Sequence, residues 1–378
     1  MKILIAGGGT GGHVFPGIAV AEELKRIRPE VEVVFVGGRR GIEATAVPEA
    51  GFPIRFLLTA GFPRKRWWVW PWAVLVNVAG LMQAIMILLS ERPAAVLGTG
   101  GYVSGPLSLA ARLTGRPLIL QEQNSIPGLT NRWLARIADE VHLSFLEARS
   151  HFQRRDHLKV TGNPVRSHLL AGDREQAMRE FALTPGKPTV FVFGGSLGAK
   201  RINDAALDAL RRLKGRLDFQ CILQTGRDDH ARVLEAVSRE QLAATVRPFI
   251  REMHLAYAAA DLVVCRAGAM TLAEIAVCGL PAILVPYPFA AHDHQAVNAA
   301  NLVDRGAAIV VPDAELDGER LARELAVLLV DRPALSRMSS NARLFARPDA
   351  ANRLARALVH WAEGEGPLSD EATAPEGH

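Results

Sequence analysis

"KILIAGGGTGGHVFP" (residues 2–16) sets a short apolar run against five glycines grouped around Thr10, with His13 directly behind them. Gly7, Gly9 and Gly12 satisfy GxGxxG, the turn that joins a strand to a helix in a parallel α/β sheet and turns backbone N–H groups toward a phosphate. The motif alone also fits a dinucleotide-binding fold, so the next strand matters. "VEVVFV" (31–36) runs into Gly37, Gly38 and Arg39, where a nicotinamide-binding fold keeps an acid for the ribose. Arg39 and Arg40 leave a 2′-phosphate, and with it an NADP reading, open. His13 reads either as a hydrogen-bonded helix cap or as a base. The positive end of a helix lowers an imidazole pKa and favours the neutral, proton-accepting form, which suits the second reading.

The 378 residues are enough for two domains, and a hydrophobic content of 49% is enough for their cores. Lys and Arg total 44 against 39 Asp and Glu, a net +5 that suits a phosphate-bearing ligand or an anionic membrane surface and is no nucleic-acid footprint. Cys221, Cys265 and Cys278 are odd in number and form no CxxC, which argues against a disulfide framework or a zinc site and for a reducing, cytoplasmic setting. The apolar run Ile3–Ala6 is far too short for a signal-peptide core.

Runs such as "KILIA", "VEVVFV", "AAVLG", "PLILQE" and "EVHLS" alternate with helical patterns, the signature of a parallel sheet built from βαβ units. The alternation pauses at "VTGNPVR" (160–166), passes a polar helix and "LTPGKP" (183–188), then restarts with "PTVFVFGGSLGAKR", "DFQCILQTG", "ATVRPFI", "DLVVCRAGAMTLAE" and "PAILVPYP". The expectation is an α/β protein of two doubly wound, Rossmann-like domains facing a cleft, 1–163 and 164–345. A C-terminal helix over 346–362 is expected to pack back on the first domain, and 363–378, rich in Gly, Pro, Glu and Ala, to be a disordered tail.

The second half carries its own site. In "CRAGAMTLAEIAVCGLPAILVPYP" (265–288) a glycine turn opens a helix whose N–H groups at Ala269, Met270 and Thr271 aim at a diphosphate. Glu274 then reads as a ribose acceptor, or as an ordinary helix-dipole residue. In "HDHQAVNA" (292–299), Gln295 is suited to sugar hydroxyls, whereas His292, Asp293 and His294 make a poor metal site. No DxD pair follows a strand, so backbone dipoles and helix ends are left to stabilise a departing diphosphate.

"RKRWWVWPWAVLVNVAGLMQAIMILLSER" (64–92) joins a basic cluster, four tryptophans and an apolar helix long enough to span a bilayer. Pro71, Asn77, Gly80 and Gln83 interrupt it, and βα units flank it. A monotopic membrane-facing patch is the favoured reading, against a domain-packing helix and a span. The tryptophans with Arg64, Lys65 and Arg66 suit a headgroup interface, and Arg132 and Arg136 beside Trp133 extend its rim.

Taken together, "GGTGGHVFP" (8–16), "GTGGYVSGP" (98–106), "EQNSIPGLTNR" (122–132), "GNPVR" (162–166), "GGSLGA" (194–199), "RAGAMTLAE" (266–274), "GLPAILVP" (279–286) and "DHQAVNA" (293–299) resemble the MurG family of peptidoglycan N-acetylglucosaminyltransferases. That resemblance implies a GT-B fold and an inverting transfer of N-acetylglucosamine, with no metal or cofactor, from UDP-N-acetylglucosamine to the 4-hydroxyl of the muramoyl sugar of lipid I, giving lipid II. It also implies a peripheral protein on the cytoplasmic face of the cell membrane, with the acceptor in the N-terminal domain and the nucleotide sugar in the C-terminal one.

Residue by residue, the resemblance makes His13 the general base, with Thr10, Gly11 and Gly12 near the donor sugar and diphosphate. It puts Tyr102 and Glu122 on the acceptor side, and Asn124 there with reach to the donor sugar. Arg166 and Ser196 approach the nucleotide, Ile250 lines the uracil, Ala269, Met270, Thr271, Leu272, Ala273 and Glu274 hold diphosphate and ribose, and Gln295 reads the sugar hydroxyls. Two positions depart from the family: Gln121 replaces a histidine before "EQN" and cannot act as a base, and Leu197 replaces a polar residue after the serine of "GGS". A UDP-N-acetylglucosamine 2-epimerase shares the architecture and donor but needs no acceptor. An NADP oxidoreductase would perturb nicotinamide fluorescence, and a silent sugar-binding protein would bind without turnover.

Overall fold

The computed structural model describes residues 1–61, 67–290 and 293–368. The chain divides into two compact units, Met1–Arg166 with Arg347–His378, and Ser167–Ala346. The first unit runs β1 (Lys2–Gly7), α1 (Gly11–Ile27), β2 (Glu32–Gly37), α2 (Glu43–Glu49), β3 (Ile54–Phe56), α3 (Trp70–Glu91), β4 (Ala95–Gly100), α4 (Ser104–Leu113), β5 (Leu118–Glu122), α5 (Leu129–Leu134), β6 (Glu140–Leu143) and β7 (Leu158–Val160). The second runs α6 (Arg174–Glu180), β8 (Thr189–Phe193), α7 (Lys200–Leu213), β9 (Gln220–Gln224), α8 (Arg227–Glu240), β10 (Ala244–Arg247), α9 (Met253–Ala259), β11 (Leu262–Cys265), α10 (Ala269–Cys278), β12 (Ala282–Leu284), α11 (His294–Val303), β13 (Ala308–Val310), α12 (Gly318–Val330) and α13 (Arg332–Phe345). Helix α14 (Ala350–Glu363) returns to the first unit.

After Lys2, strand β1 is apolar and buried from Ile3 to Gly7 because helices cover both faces of its sheet. Ile3 and Ile5 pack with Ile18 and Leu24 of α1 and Leu354 and Leu358 of α14, while Leu4 and Ala6 pack with Ala84 and Leu88 of α3 and Leu107 of α4. The parallel order is β3-β2-β1-β4-β5-β6-β7, so the chain reverses its direction of travel between β1 and β4. The loops leaving these two neighbours go to opposite faces, which opens a crevice at their carboxyl ends. There the register shifts between Ala6 and Gly7, and Gly7 pairs with Gly100. The second sheet, β10-β9-β8-β11-β12-β13, repeats the arrangement with its reversal between β8 and β11. Val190, Val192, Leu262 and Val264 form its inner face against Ile202 and Leu210 of α7 and Leu321 and Leu325 of α12.

The units divide after Arg166, later than the sequence reading placed the boundary. Val165 is buried, Gly162 lies against Arg347 and Ala350, and the Arg166 guanidinium sits 5.2 Å over the Phe15 ring of α1, so this stretch is anchored to the first unit. Helix α14 is fixed there by Trp361, whose indole donates to the buried Glu140 at 2.9 Å. The expected tail is ordered at its start: Glu363 pairs with Arg28 at 3.1 Å and the Leu368 carbonyl accepts from Lys159. Residues 369–378 lie outside the described residues.

Helix α3 buries one narrow stripe, Ala73, Gly80, Ala84 and Leu88, flanks it with the half-buried Leu81, Ile85 and Ile87, and exposes apolar side chains such as Trp72, Leu75, Met82, Met86 and Leu89. A Cβ on Gly80 would come within 2.1 Å of the Leu58 carbonyl, so glycine lets the helix lie on the 56–60 segment. Asn77 donates to the Ala60 carbonyl at 2.9 Å, and Gln83 clasps the same segment by donating to Phe56 O at 2.9 Å and accepting from Leu58 N at 3.0 Å.

Candidate active site

The turn after β1 ends in Thr10, extended at φ −131° and ψ 158°, which caps α1. Helix geometry leaves the first amides of α1 without a carbonyl one turn back, so the turn presents a positive end. His13, half-buried in that first turn, has Nδ1 3.3 Å from the Gly8 carbonyl and 3.3 Å from Thr10 Oγ1. A carbonyl only accepts, so the tautomer that hydrogen-bonds Gly8 O carries its proton on Nδ1 and its lone pair on Nε2, whereas the Thr10 hydroxyl can serve either tautomer. Gly100 and Gly101, with φ of +100° and +80°, run beside the ring. A Cβ on the first would lie 2.9 Å from His13 Cδ2, and one on the second 2.3 Å from the Gly8 oxygen.

Glu43, the first residue of α2, went unseen in the sequence reading. It is 1% exposed, accepts from Gly9 N at 2.9 Å and from Gly38 N at 2.8 Å, and so ties the turn after β1 to the turn after β2. Gly8, Gly37 and Gly41 leave it room, since a Cβ on any of them would come within 2.0 to 2.6 Å of its side chain. An acid therefore does close this end of β2, but it faces the chain's own amides rather than a ribose. The readable signal was "GGRRGIE" (37–43), three glycines leading into an acid that opens a helix.

Tyr102, beside Gly101, is 60% exposed with its ring against Gly61. Glu122, expected on the acceptor side, turns its carboxylate into its own loop. It is 1% exposed and accepts from Asn124 N (2.9 Å), Asn124 Nδ2 (3.3 Å), Gly128 N (3.2 Å) and Asn131 Nδ2 (2.9 Å). Burial raises its carboxyl above the ordinary value, with those hydrogen bonds pulling the other way. Four inward donors make it the anchor of the turn that carries Asn124, which is half-buried.

In the second unit the turn Gly194–Ala199 follows β8 and holds Ser196 exposed. Its neighbour across the reversal is the turn before α10, capped by Gly268, which sets the N-terminal amides of Ala269, Met270 and Thr271 at the positive end of that helix. The Leu272 N–H donates to Gly268 O at 3.0 Å and its side chain is fully buried. Glu274 accepts at Oε2 from the Tyr257 hydroxyl at 2.8 Å, which fixes its carboxylate. Burial, then Glu274, pushes that phenol well above its ordinary pKa. Gln295 accepts at Oε1 from Tyr287 N at 2.9 Å, so its NH₂ is the end available to donate to a sugar oxygen. The Ile250 side chain is buried and its N–H donates to Gln224 Oε1 at 2.8 Å. Burial pushes the Cys278 thiol up to about 12 and raises Cys265 and Cys221 further, so none is a reactive thiolate. Among the described residues no three His, Cys, Asp or Glu side chains converge as a metal site, and His292 lies outside them.

Two family descriptions match the chain, the glycosyltransferase family 28 N-terminal domain over residues 3–143 and the C-terminal domain over 189–354. A Chlorobaculum parvum protein named "UDP-N-acetylglucosamine--N-acetylmuramyl-(pentapeptide) pyrophosphoryl-undecaprenol N-acetylglucosamine transferase" is 46% identical over 95% of this chain and 99% of its own length. A Moorella thermoacetica protein of the same name is 42% identical over 96% and 100%. The crystal structure of Acinetobacter baumannii MurG superposes with a TM-score of 0.74 at 29% identity, covering 95% of this chain and 99% of that one. The chain belongs to the MurG family. The S. aureus MnaA–UDP structure (TM-score 0.70, 12% identity, 97% and 98% covered) shares the fold alone.

Within this MurG-family chain both departures have a visible setting. Gln121 is buried and donates to Ser144 Oγ at 3.0 Å and Asn163 Oδ1 at 3.1 Å while accepting from Gln123, so it braces β5 from within. Leu197 is 89% exposed at the tip of the turn carrying Ser196.

Proposed function

We propose that this chain transfers N-acetylglucosamine from UDP-N-acetylglucosamine to the 4-hydroxyl of the muramoyl sugar of lipid I, forming lipid II with inversion at the anomeric carbon. The observation that carries the reading is the placement of His13 Nδ1 3.3 Å from the Gly8 carbonyl: the tautomer that bonds this oxygen keeps its basic lone pair on Nε2. That nitrogen takes the proton of the acceptor hydroxyl as its oxygen attacks the anomeric carbon from the face opposite UDP. Such help is worth about 10²- to 10⁴-fold, and positioning and charge stabilisation supply the rest.

The leaving diphosphate gathers negative charge that the α10 N-terminus, with Ala269, Met270 and Thr271, stabilises through backbone N–H groups and without a metal. Glu274 accepts from the ribose, and the Gln295 amide donates to a sugar hydroxyl. Ser196, Arg166 and the backbone around Ile250 meet the nucleotide. Thr10, Gly11, Gly12 and Asn124 meet the donor sugar and diphosphate, and Tyr102 meets the acceptor. The glycine-bound carboxylate of Glu43 supports this reading over an NADP one, because Gly9 N–H already has a resident anion.

A polyprenyl acceptor stays in the bilayer while its sugar reacts, and α3 supplies a surface to meet it. Trp68, Trp72, Leu75, Met82, Met86 and Leu89 are exposed around the docked stripe, and Arg136 sits 4.5 Å over the ring of exposed Trp133. The clasp by Asn77 and Gln83 supports a helix lying on the domain, peripheral to the cytoplasmic face, rather than a span. Arg64, Lys65 and Arg66 lie outside the described residues.

The test is UDP release with and without a lipid I analogue, followed by NMR of the new glycosidic bond. The expected outcome is acceptor-dependent release and a β-linked product. Acceptor-independent release with N-acetylmannosamine would establish an epimerase instead, and an α-linkage would overturn inversion.

A further inference from the structure

The charge of Glu43 has no part in the steps above, yet it stands one peptide unit from the base. Its Oε2 accepts the N–H of Gly9 at 2.9 Å, and the carbonyl of that same peptide, Gly8 O, lies 3.3 Å from His13 Nδ1. A peptide unit is planar and conjugated, so a negative charge at its N–H strengthens its oxygen as an acceptor. Carboxylate, peptide and imidazole thus form one chain of hydrogen bonds, held on one side by Gly8, Gly37 and Gly41 and on the other by Gly100 and Gly101.

We propose that Glu43 is a positioning residue for the transfer: through the Gly8–Gly9 peptide it holds His13 in the Nδ1–H tautomer and stabilises the imidazolium formed when Nε2 takes the acceptor's proton. A carboxylate bonded directly to a catalytic imidazole performs the same service in hydrolase triads. Here a peptide stands between, so the partner was invisible as a His–carboxylate pair. The inference rests on the reading of His13 as the base.

Other charged groups lie around this turn. Glu122 stands behind Asn131, whose Nδ2 is 3.6 Å from a Cβ built on Gly100. Arg166 lies over Phe15 and faces Glu22 of α1, a carboxyl raised chiefly by burial. Arg39 and Arg40 follow Gly38 in the second turn, with Arg39 5.5 Å over Phe56. Glu43 is the charged group that bonds the peptide His13 contacts.

The experiment compares kcat and the pH profile of kcat/KM for wild type, Glu43→Gln and His13→Ala, with melting curves for each. A carboxylate that favours the imidazolium raises the pKa of the base, so its neutralisation shifts the acid limb of the Glu43→Gln profile to lower pH. kcat is expected to fall about 10- to 100-fold, the usual loss for an orienting partner, with KM for UDP-N-acetylglucosamine unchanged. A Glu43→Gln profile that coincides with wild type, while His13→Ala removes the limb, overturns the role of Glu43 alone. A wild-type limb that survives His13→Ala overturns the base reading and this inference together. A second measurement needs no variant at Glu43: ¹⁵N chemical shifts of His13 in the wild type, assigned against His13→Gln, are expected to show the Nδ1–H tautomer, and an Nε2–H tautomer overturns the proposal.

Discussion

At the residue scale the site depends on glycines that make room for one another's partners. The Gly101 α-carbon passes so close to the Gly8 carbonyl that a methyl there would meet it at 2.3 Å, in backbone already at φ +80°. Gly101→Ala is therefore expected to cost about 1–2 kcal/mol from the left-handed backbone alone, with more from the clash. By pushing the Gly8 carbonyl off His13 it is also expected to lower kcat at least tenfold while UDP-N-acetylglucosamine still binds. Melting curves with steady-state kinetics check this, and a wild-type kcat would show that the carbonyl does not hold the ring. His13 and both glycine turns were legible in the sequence because each is a contiguous motif. Glu43 was not: its significance arises only when β1 and β2 pair and bring Gly9 and Gly38 to the same carboxylate. The inward turn of the Glu122 carboxylate and the burial of the Leu272 side chain were not legible either, since the direction a side chain takes follows from donors and core neighbours that no local pattern states.

At the element scale, strands buried on both faces were readable and short edge strands were not. β1, β4, β8 and β11 carry unbroken apolar runs, whereas β3, β7 and β13 have three residues each and pair on one side only. Pairing partners, rather than their own composition, make those edges strands. Helix α3 shows the converse. Three of the residues that interrupt its apolar run are the ones that dock it, Gly80 for close approach and Asn77 and Gln83 as clasps, while Pro71 lies exposed in its first turn. The opposite face remains apolar, with Trp68 and Trp72 exposed at 61% and 68%. Burying one such side chain is worth about 1.5–3 kcal/mol, and each 1.4 kcal/mol is tenfold in affinity. Trp68→Glu with Trp72→Glu is expected to weaken binding to anionic vesicles at least tenfold in a sedimentation assay without lowering the melting temperature. Unchanged sedimentation would remove the membrane-facing role.

At the scale of the whole molecule, two sheets of the same winding each place a glycine turn and a helix N-terminus at a point where the strand order reverses. The two-domain α/β organisation was legible from the two series of alternating strands. The return of α14 to the first unit rests on contacts far apart in sequence, such as Trp361 with Glu140, and the polar stretch around Arg166 gave no sign of which unit would claim it. In the proposed function the second unit holds the nucleotide and the first supplies the base. The most direct test is His13→Ala assayed for both turnover and donor affinity. With His13 as the base, kcat for lipid I analogue is expected to fall about 10²- to 10⁴-fold while the Kd for UDP-N-acetylglucosamine, measured by calorimetry, stays at the wild-type value. Turnover at the wild-type rate in His13→Ala would contradict that role.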